Sequence, residues 1–399
     1  MTNVVKQLRC NLRDNSIDVR PEWMLIKEFT KQLFDRLPTV KPVNLDNLKE
    51  CGELFKYDYS WDKATAKKPK ALNTHELFER AAKSENKEEA YELEPTIYDD
   101  PVMIELIEQN KADIFSTDSI IAAIMCSTSS NYSWDIEIRK FDNKIFIDKR
   151  ADELDQNILN FNTVCETSLD HQPYDDASIN GIKQLMVESK IVSNAWIQQC
   201  QNPDVLTKID LDEENPFRED PEQRVTPQGY IYKIWKLQDA NEQEGTKEKR
   251  ICIRCKVHTH TGKLKENGEK ELMNVYSFNE HSIERTNWRS QIDSSLIACL
   301  NREIADNSFK AKRWLIESLL SEVDLIKFGF VTRKNMNDAS KHIVVGTHTV
   351  KTNMWAKEMG VVMEKKWNIL RHVIEHIENH EVIKESPEEG KENGDRNGQ

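Results

Sequence analysis

Past residue 96 the chain alternates short apolar runs with charged ones in two rhythms, one of period near 3.6 and one of period 2. Asp100 and Pro101 open a predicted helix over 102–110, with Pro101 suited to the first helical position. Thr117 or Asp118 then caps SIIAAIMC, a helix whose all-round apolarity predicts burial. In YSWDIEIRKFDNKIFIDKR, Trp134, Ile136 and Ile138 share one face, Asp142-Asn143 is a polar turn, and Ile145 and Ile147 return, which predicts a β-hairpin. FNTVCET is a further strand, running into SLDHQPYDDASINGI, which is too polar to pack and long for an ordinary connection.

Residues 201–227 are acidic and proline-bearing and are expected to cross the surface. GYIYKIWKL, RICIRCKVHTHT and LMNVYSFNE follow as three strands of an antiparallel sheet. Two core-facing helices over 293–306 and 310–320, strands DLIKFGFVTRK and KHIVVGTHTV, and a last helix over 362–377 complete the pattern. The fold class is α+β, with mixed, largely antiparallel β-sheets flanked by helices. Residues 1–92 carry Pro38, Pro42, Pro69, a basic run over 67–70 and a helix-like stretch over 74–91, and are expected to form a flank partly packed on the core. One domain is expected over 93–384, and residues 385–399, without an apolar side chain, form a polar tail expected to be disordered.

Composition narrows the function classes. With 399 residues, 38 % of them hydrophobic, the chain can bury a sizeable core. No run approaches the roughly eighteen apolar residues of a membrane span, and the start MTNVVKQLRCNLRDNSIDVR lacks the apolar centre of a secretory signal, so a cytoplasmic protein is expected. A net charge of −13 argues against gripping nucleic acid over the whole surface and confines any RNA contact to a local site. Eight scattered cysteines suit reduced, buried thiols.

Cys252-x2-Cys255 with His258 and His260 has zinc-ligand chemistry, but on a strand residues three apart face opposite sides, and packing is the favoured reading. Glu153-x-Asp155 and Glu322-x-Asp324 could hold Mg²⁺, yet the strands after Asp324 supply no further carboxylate, so solvated turn charges are favoured. No phosphate-binding glycine loop or serine elbow occurs. Nine tryptophans could stack on bases; Trp235 and Trp314 sit in apolar periodicity as core residues, while Tyr132 and Trp134, at a helix–hairpin junction, are better placed to line a cleft.

NWRSQIDS, NSFKAKRWLIESLL, KFGFVTRKNMNDASKHIVVGTHTVK and NILRHVIE resemble the C-terminal half of the D-subunit family of eukaryotic translation initiation factor 3. IFSTDSIIAAIM, SNYSWDIEI, KIFIDKR, TVCET, NPFREDP and YIYKIWKL match the same family in the same order, so the resemblance runs over about 14–379. It implies an mRNA 5′-cap-binding domain, similar in fold to decapping and RNA 5′-end exonuclease enzymes but without their catalysis. The carboxylate strands of those enzymes correspond to RICIRCKV and MNVYSFNE, whose inward positions are Ile, Cys, Tyr and Phe, so neither a metal nor another cofactor is expected.

Cap-contacting positions of the family carry over to Asp118, Asn131 and Tyr132, and to Lys190, Ser193 and Asn194 in a segment before QQC. Asn131 replaces an aliphatic residue, and Lys190, Ser193 and Asn194 stand where the family has Thr, Asn and His. The expected cap site is a cleft between the Asp118 helix and the 190–194 segment. Ser168, Asp170, Asp175, Asp176, Ser178 and Asn180 fall in the family's loop thought to gate RNA entry. The implied partners are capped mRNA, the other subunits of initiation factor 3 and the small ribosomal subunit, and no membrane. The family's basic N-terminal arm has no counterpart here and its acidic tail is reduced to SPEEGKENGDRNGQ, so association with the other subunits is expected to be weakened; a divergent or shortened paralogue with weakened cap binding and a regulatory or tissue-restricted translational role is the second expectation, and a residual decapping-type enzyme the third.

Overall fold

The computed structural model describes residues 21, 23–37, 42–83, 94–130, 133–141, 143–150, 178–218, 226–237, 249–284 and 286–380. The FNTVCET strand, Glu153 and Asp155, and the tail over 385–399 lie outside them. Helix α1 (Lys31–Arg36) precedes strands β1 (Val43–Leu54), β2 (Lys56–Tyr57) and β3 (Lys70–Leu72) and helix α2 (His75–Lys83). Then come α3 (Pro101–Glu108), β4 (Ile114–Thr117), α4 (Asp118–Cys126), β5 (Glu137–Phe141), β6 (Lys144–Asp148) and α5 (Ile182–Gln199). Short β7 (Gln201–Asn202) and β8 (Ile209–Asp210) lead to β9 (Gly229–Leu237), β10 (Lys249–Val257), β11 (Thr259–Leu264) and β12 (Lys270–Glu280). The chain continues through α6 (Trp288–Asp306), α7 (Ser308–Leu320), β13 (Leu325–Asn335), β14 (Asp338–Lys351), α8 (Thr352–Glu358) and α9 (Met363–Asn379).

Two mixed seven-stranded sheets result, in the orders β5-β6-β4-β10-β9-β1-β8 and β3-β14-β13-β12-β11-β2-β7. The fold is therefore α+β. The three central strands do not form one antiparallel sheet, as the sequence pattern had indicated. β9 and β10 pair antiparallel in the first sheet, whereas β12 lies in the second, antiparallel to β11 and parallel to β13. The chain changes sheets at His258, between β10 and β11.

Residues 43–72, placed by the sequence pattern in a flank, contribute to both sheets: β1 pairs along β9, β2 with β11, and β3 with β14. Helix α5 was not apparent in the pattern, and neither was β1. Among the described residues no helix is long and apolar enough to cross a membrane.

Three clusters set the layers. The largest joins Ile251, Ile253 and Cys255 of the first sheet to Tyr276, Phe278 and Phe328 of the second through α4, α6, α7 and α9. On the outer face of the first sheet, Cys252, Phe115 and Tyr232 pack on α3. On the outer face of the second, Val275 and Val331 pack on Val192, Ala195 and Trp196 of α5.

This last contact fixes α5, because the Trp196 indole lies flat on β13 at Gly329. A Cβ on Gly329 would meet the indole at 2.8, 3.0 and 3.1 Å. Trp61 braces the same ring edge-on, with centroids 5.4 Å apart. Gly329→Ala should therefore destabilise the chain by about 1–3 kcal/mol, the usual cost of overpacking, seen as a lower denaturation midpoint. An unchanged midpoint would contradict the described seating of α5.

Candidate functional site

A cleft of about 170 Å³ opens where the two sheets part at the β10–β11 crossover. One wall is the first turn of α4, with Thr117, Ser119 and Ile120; the opposite wall is a stripe of α5 carrying Lys190, Ser193, Asn194 and Ile197. These four α5 residues follow a spacing of three, one and three, which puts them on one helix face. Lys256 from the end of β10, His258 from the crossover after it, Val275 and Tyr276 from β12, and Lys310, Arg313, Trp314 and Glu317 from α7 line the rest, together with Glu94, Pro95, Asp148 and Lys149.

The electrostatics begin one layer deeper, at Arg254. Its guanidinium is buried and donates to Asp100 Oδ2 at 2.6 Å, to the Pro95 carbonyl at 2.6 Å and to Glu94 Oε1 at 3.3 Å. Asp100 also accepts from the Tyr232 hydroxyl and from the amides of Val102 and Met103, so it caps α3 while neutralising Arg254. Two residues on along the same strand face, the Lys256 ammonium pairs with Glu94 Oε2 at 2.9 Å and stands 4.0 Å from Asp118 Oδ1. Burial opposes the Glu94 charge, but Lys256 and Arg254 outweigh it and hold the carboxyl well below its ordinary range. Burial likewise opposes the Lys256 charge, and Glu94 and Asp118 more than restore it.

Asp118 is fully buried and is not among the residues lining the cleft. Its carboxylate accepts the Ser119 amide at 2.7 Å and the Lys256 amide at 2.8 Å, tying the first turn of α4 to β10. Thr117, the residue preceding the helix, makes no side-chain cap. Asp118 therefore braces the α4 wall against β10 from beneath. Burial is the main cause that pushes its carboxyl from 3.8 up to about 7, with Lys256 opposing and Glu94 and Glu317 adding to the rise. Asp148, which accepts from the Ile97 and Lys149 amides, is pushed up by burial to about 6.

Of the other expected positions, Asn131 and Tyr132 lie outside the described residues, as do Ser168, Asp170, Asp175 and Asp176. Ser178 and Asn180 form the turn ahead of α5: Ser178 Oγ accepts the Asn180 amide at 3.3 Å, and Asn180 Oδ1 accepts from the buried Arg333 guanidinium at 2.8 Å. Arg333 in turn pairs with Glu188 on α5. Trp134 stacks on Phe309 with centroids 6.2 Å apart, away from the cleft lining. Trp314 is buried as expected for a core residue and also reaches the cleft, where Tyr276 stacks on one face at 4.7 Å and Lys310 stands over the ring at 4.9 Å.

The cysteine–histidine run does not converge. Cys252 faces the α3 layer and Cys255 the central core, and burial pushes both thiols up. His260 is held by the Thr207 carbonyl at 2.9 Å and the Gly262 amide at 3.1 Å. Glu322 pairs with Lys233 and Asn44, and Asp324 accepts the Leu272 amide, so this carboxylate pair braces the strands. Among the described residues no group of three or more Asp, Glu, His or Cys is arranged to hold a metal ion.

Sequence reasoning missed Glu94, Lys256, Lys310, Arg313 and Glu317, and weighed His258 only as a zinc ligand. Only the alternation of β10 could have pointed to Lys256, as the polar half of a strand whose apolar half was read.

The raised Asp118 carboxyl has a signed consequence. Between about pH 4 and pH 7 the folded chain holds a proton that the unfolded chain has released, so this group lowers stability as pH rises. Comparing denaturation midpoints across that window, the parent should lose stability relative to Asp118→Asn as pH increases; a constant difference would contradict the burial described.

A model of the family described as eukaryotic translation initiation factor 3 subunit 7 (eIF-3) matches residues 2–384. The D-1 subunit of eukaryotic translation initiation factor 3 from Drosophila ananassae is 32 % identical over 376 residues, covering 91 % of this chain and 61 % of its own length. The D subunit from Aedes aegypti is 30 % identical over 369 residues, covering 91 % and 55 % respectively. The chain thus spans roughly three fifths of these relatives. Among solved structures, Rai1 of Scheffersomyces stipitis, in complex with 3′-NADP⁺ and calcium, is 9 % identical with a TM-score of 0.44 over 82 % of this chain and 77 % of that one. Rai1 of Candida albicans, in complex with pU5 and Mn²⁺, is 11 % identical with a TM-score of 0.44 over 86 % and 87 %. With a family model running over nearly its whole length and relatives matching along the same span, the chain belongs to the D-subunit (subunit 7) family of eukaryotic translation initiation factor 3.

Proposed function

We propose that this chain binds the 5′ end of capped mRNA in the α4–α5 cleft and acts in the cytoplasm in cap-dependent translation initiation. Its partners on this reading are the other subunits of initiation factor 3 and the small ribosomal subunit. The observation that carries the reading is the meeting of Lys190, Ser193 and Asn194 with the first turn of the Asp118 helix in one cleft whose lining is both cationic and carboxylate-bearing.

A 7-methylguanine carries positive charge and edge N–H donors, and the linked phosphates carry negative charge. Glu94 and Glu317 suit the first; Lys190, Lys310, Arg313 and Lys149 suit the second. The volume, below the roughly 300–1,000 Å³ of common ligand pockets, holds one flat base and leaves the phosphates to run out over the cationic rim. The Trp314 ring is already engaged by Tyr276 and Lys310.

The enzymatic alternative is disfavoured by Lys256. Its ammonium stands beside Glu94 and Asp118, where a divalent ion would otherwise gather these carboxylates. The chain therefore binds RNA ends without turning them over.

Titration of one RNA with a 7-methylguanosine cap against the same RNA with a 5′-triphosphate tests the reading. The parent should prefer the capped form. Ser193→Trp, which fills the cleft from α5, should weaken capped binding about tenfold, equivalent to roughly 1.4 kcal/mol, without moving uncapped binding or the melting temperature. No capped preference in the parent would sink the reading, and release of the cap in Mg²⁺ or Mn²⁺ would select the enzyme instead.

A further inference from the structure

The crossover from β10 to β11 carries His258, which the resemblance to the family does not single out. The residue is 5 % exposed and lines the cleft. Its ring is fixed from several sides. The Val275 amide donates to Nδ1 at 3.0 Å, the Tyr276 ring meets it edge-on at 5.5 Å, and its own backbone is bonded to Asn274 and Gln201. A backbone amide can only donate, so Nδ1 holds the lone pair and the hydrogen sits on Nε2. Burial, aided by Lys256, pushes the ring down to about 3, so it stays neutral near pH 7. Nε2–H has no acceptor among the described residues. That N–H opens on the cleft, where a rigidly held donor is available to a ligand's acceptor.

Resting on the cap-binding reading above, we infer that the His258 Nε2–H donates to the carbonyl oxygen of the bound base and so selects guanine over adenine. An ionised phosphate pairs best with charged donors, which Lys190, Lys310 and Arg313 already supply in the same cleft. A neutral donor suits a neutral acceptor. Guanine presents O6 as an acceptor where adenine presents an amino group, so adenine would set N–H against N–H. Guanine also carries its N1 and N2 donors beside O6, and Glu94 lines the cleft near enough for its charge to be felt at the His258 ring. Donor and carboxylate together match that edge.

The test uses the full chain and three otherwise identical RNAs: one with a 7-methylguanosine cap, one with a 7-methyl-6-thioguanosine cap, and one with a 5′-triphosphate. Sulfur at position 6 is a weak acceptor and leaves the 2-amino group in place, and mildly acidic buffer keeps N1 protonated in both caps. The parent should bind the oxygen cap about tenfold more tightly than the sulfur cap. In His258→Phe that ratio should fall towards one, a change that loss of fold alone would not produce, while His258→Gln, which keeps both a donor and an acceptor, retains part of it. Equal affinity of the parent for the two caps overturns the role of His258 whether or not the Phe variant folds, as does a Phe variant that keeps the parent's ratio. If the parent does not distinguish either cap from triphosphate, it is the cap-binding reading that fails, and the His258 assignment with it.

Discussion

A guanidinium that is fully out of water must be neutralised and hydrogen-bonded, and leaving such a charge unmatched costs about 3–5 kcal/mol. Arg254 imposes that constraint here. Asp100, Glu94 and the Pro95 carbonyl answer it, which draws the 94–100 segment against the outer face of β10 and sets the start of α3. Because Glu94 also takes the Lys256 ammonium, the same constraint fixes one wall of the cleft. The Lys256 amide, held by Asp118, then sets where α4 begins relative to the strand. A chain of ionisable groups, Asp100–Arg254–Glu94–Lys256–Asp118, thus runs from the buried outer layer to the cleft.

The arrangement assigns Asp118 a role different from direct contact. Its two oxygens face the amides of Ser119 and Lys256, and its side chain is enclosed, so its effect on any ligand passes through the position of those neighbours. The charged groups that face the cleft come from β10, α5, α7 and the segments carrying Glu94 and Asp148-Lys149. α5 is held there by two buried contacts on its other faces: Trp196 against Gly329, and Glu188 against Arg333 and His342. Rigid seating of this kind suits a binding site whose specificity depends on fixed donors and acceptors.

The parts of this design that were legible in the sequence are those with one periodicity and one buried face. β9, β13 and β14 and helices α6, α7 and α9 announce themselves in that way. β1 does not, because VNLDNLKECGEL is largely exposed over its first half and takes its strand form from pairing with β9. α5 was passed over because it is buried on more than one side, so its apolar residues form no single stripe, and Glu188, Ser189 and Asn194 sit buried among them. At the site, the apolar alternation of β10 was read and the intervening Arg254 and Lys256 were not, while His258 was weighed only as a zinc ligand. Glu94 carries no local signal at all; only the demand of Arg254 brings it into place.

The central claim is that the cleft between α4 and α5 receives the cap. Its most direct test is photo-crosslinking of the full chain with RNA whose cap carries a photoreactive group on the base, followed by mapping of the modified peptides. The account predicts cap-dependent adducts within the α5 stripe from Lys190 to Ile197 and the α7 face from Lys310 to Glu317, competed by free 7-methylguanosine triphosphate. Adducts confined to other surfaces, or adducts at these helices that free cap analogue does not reduce, would contradict it.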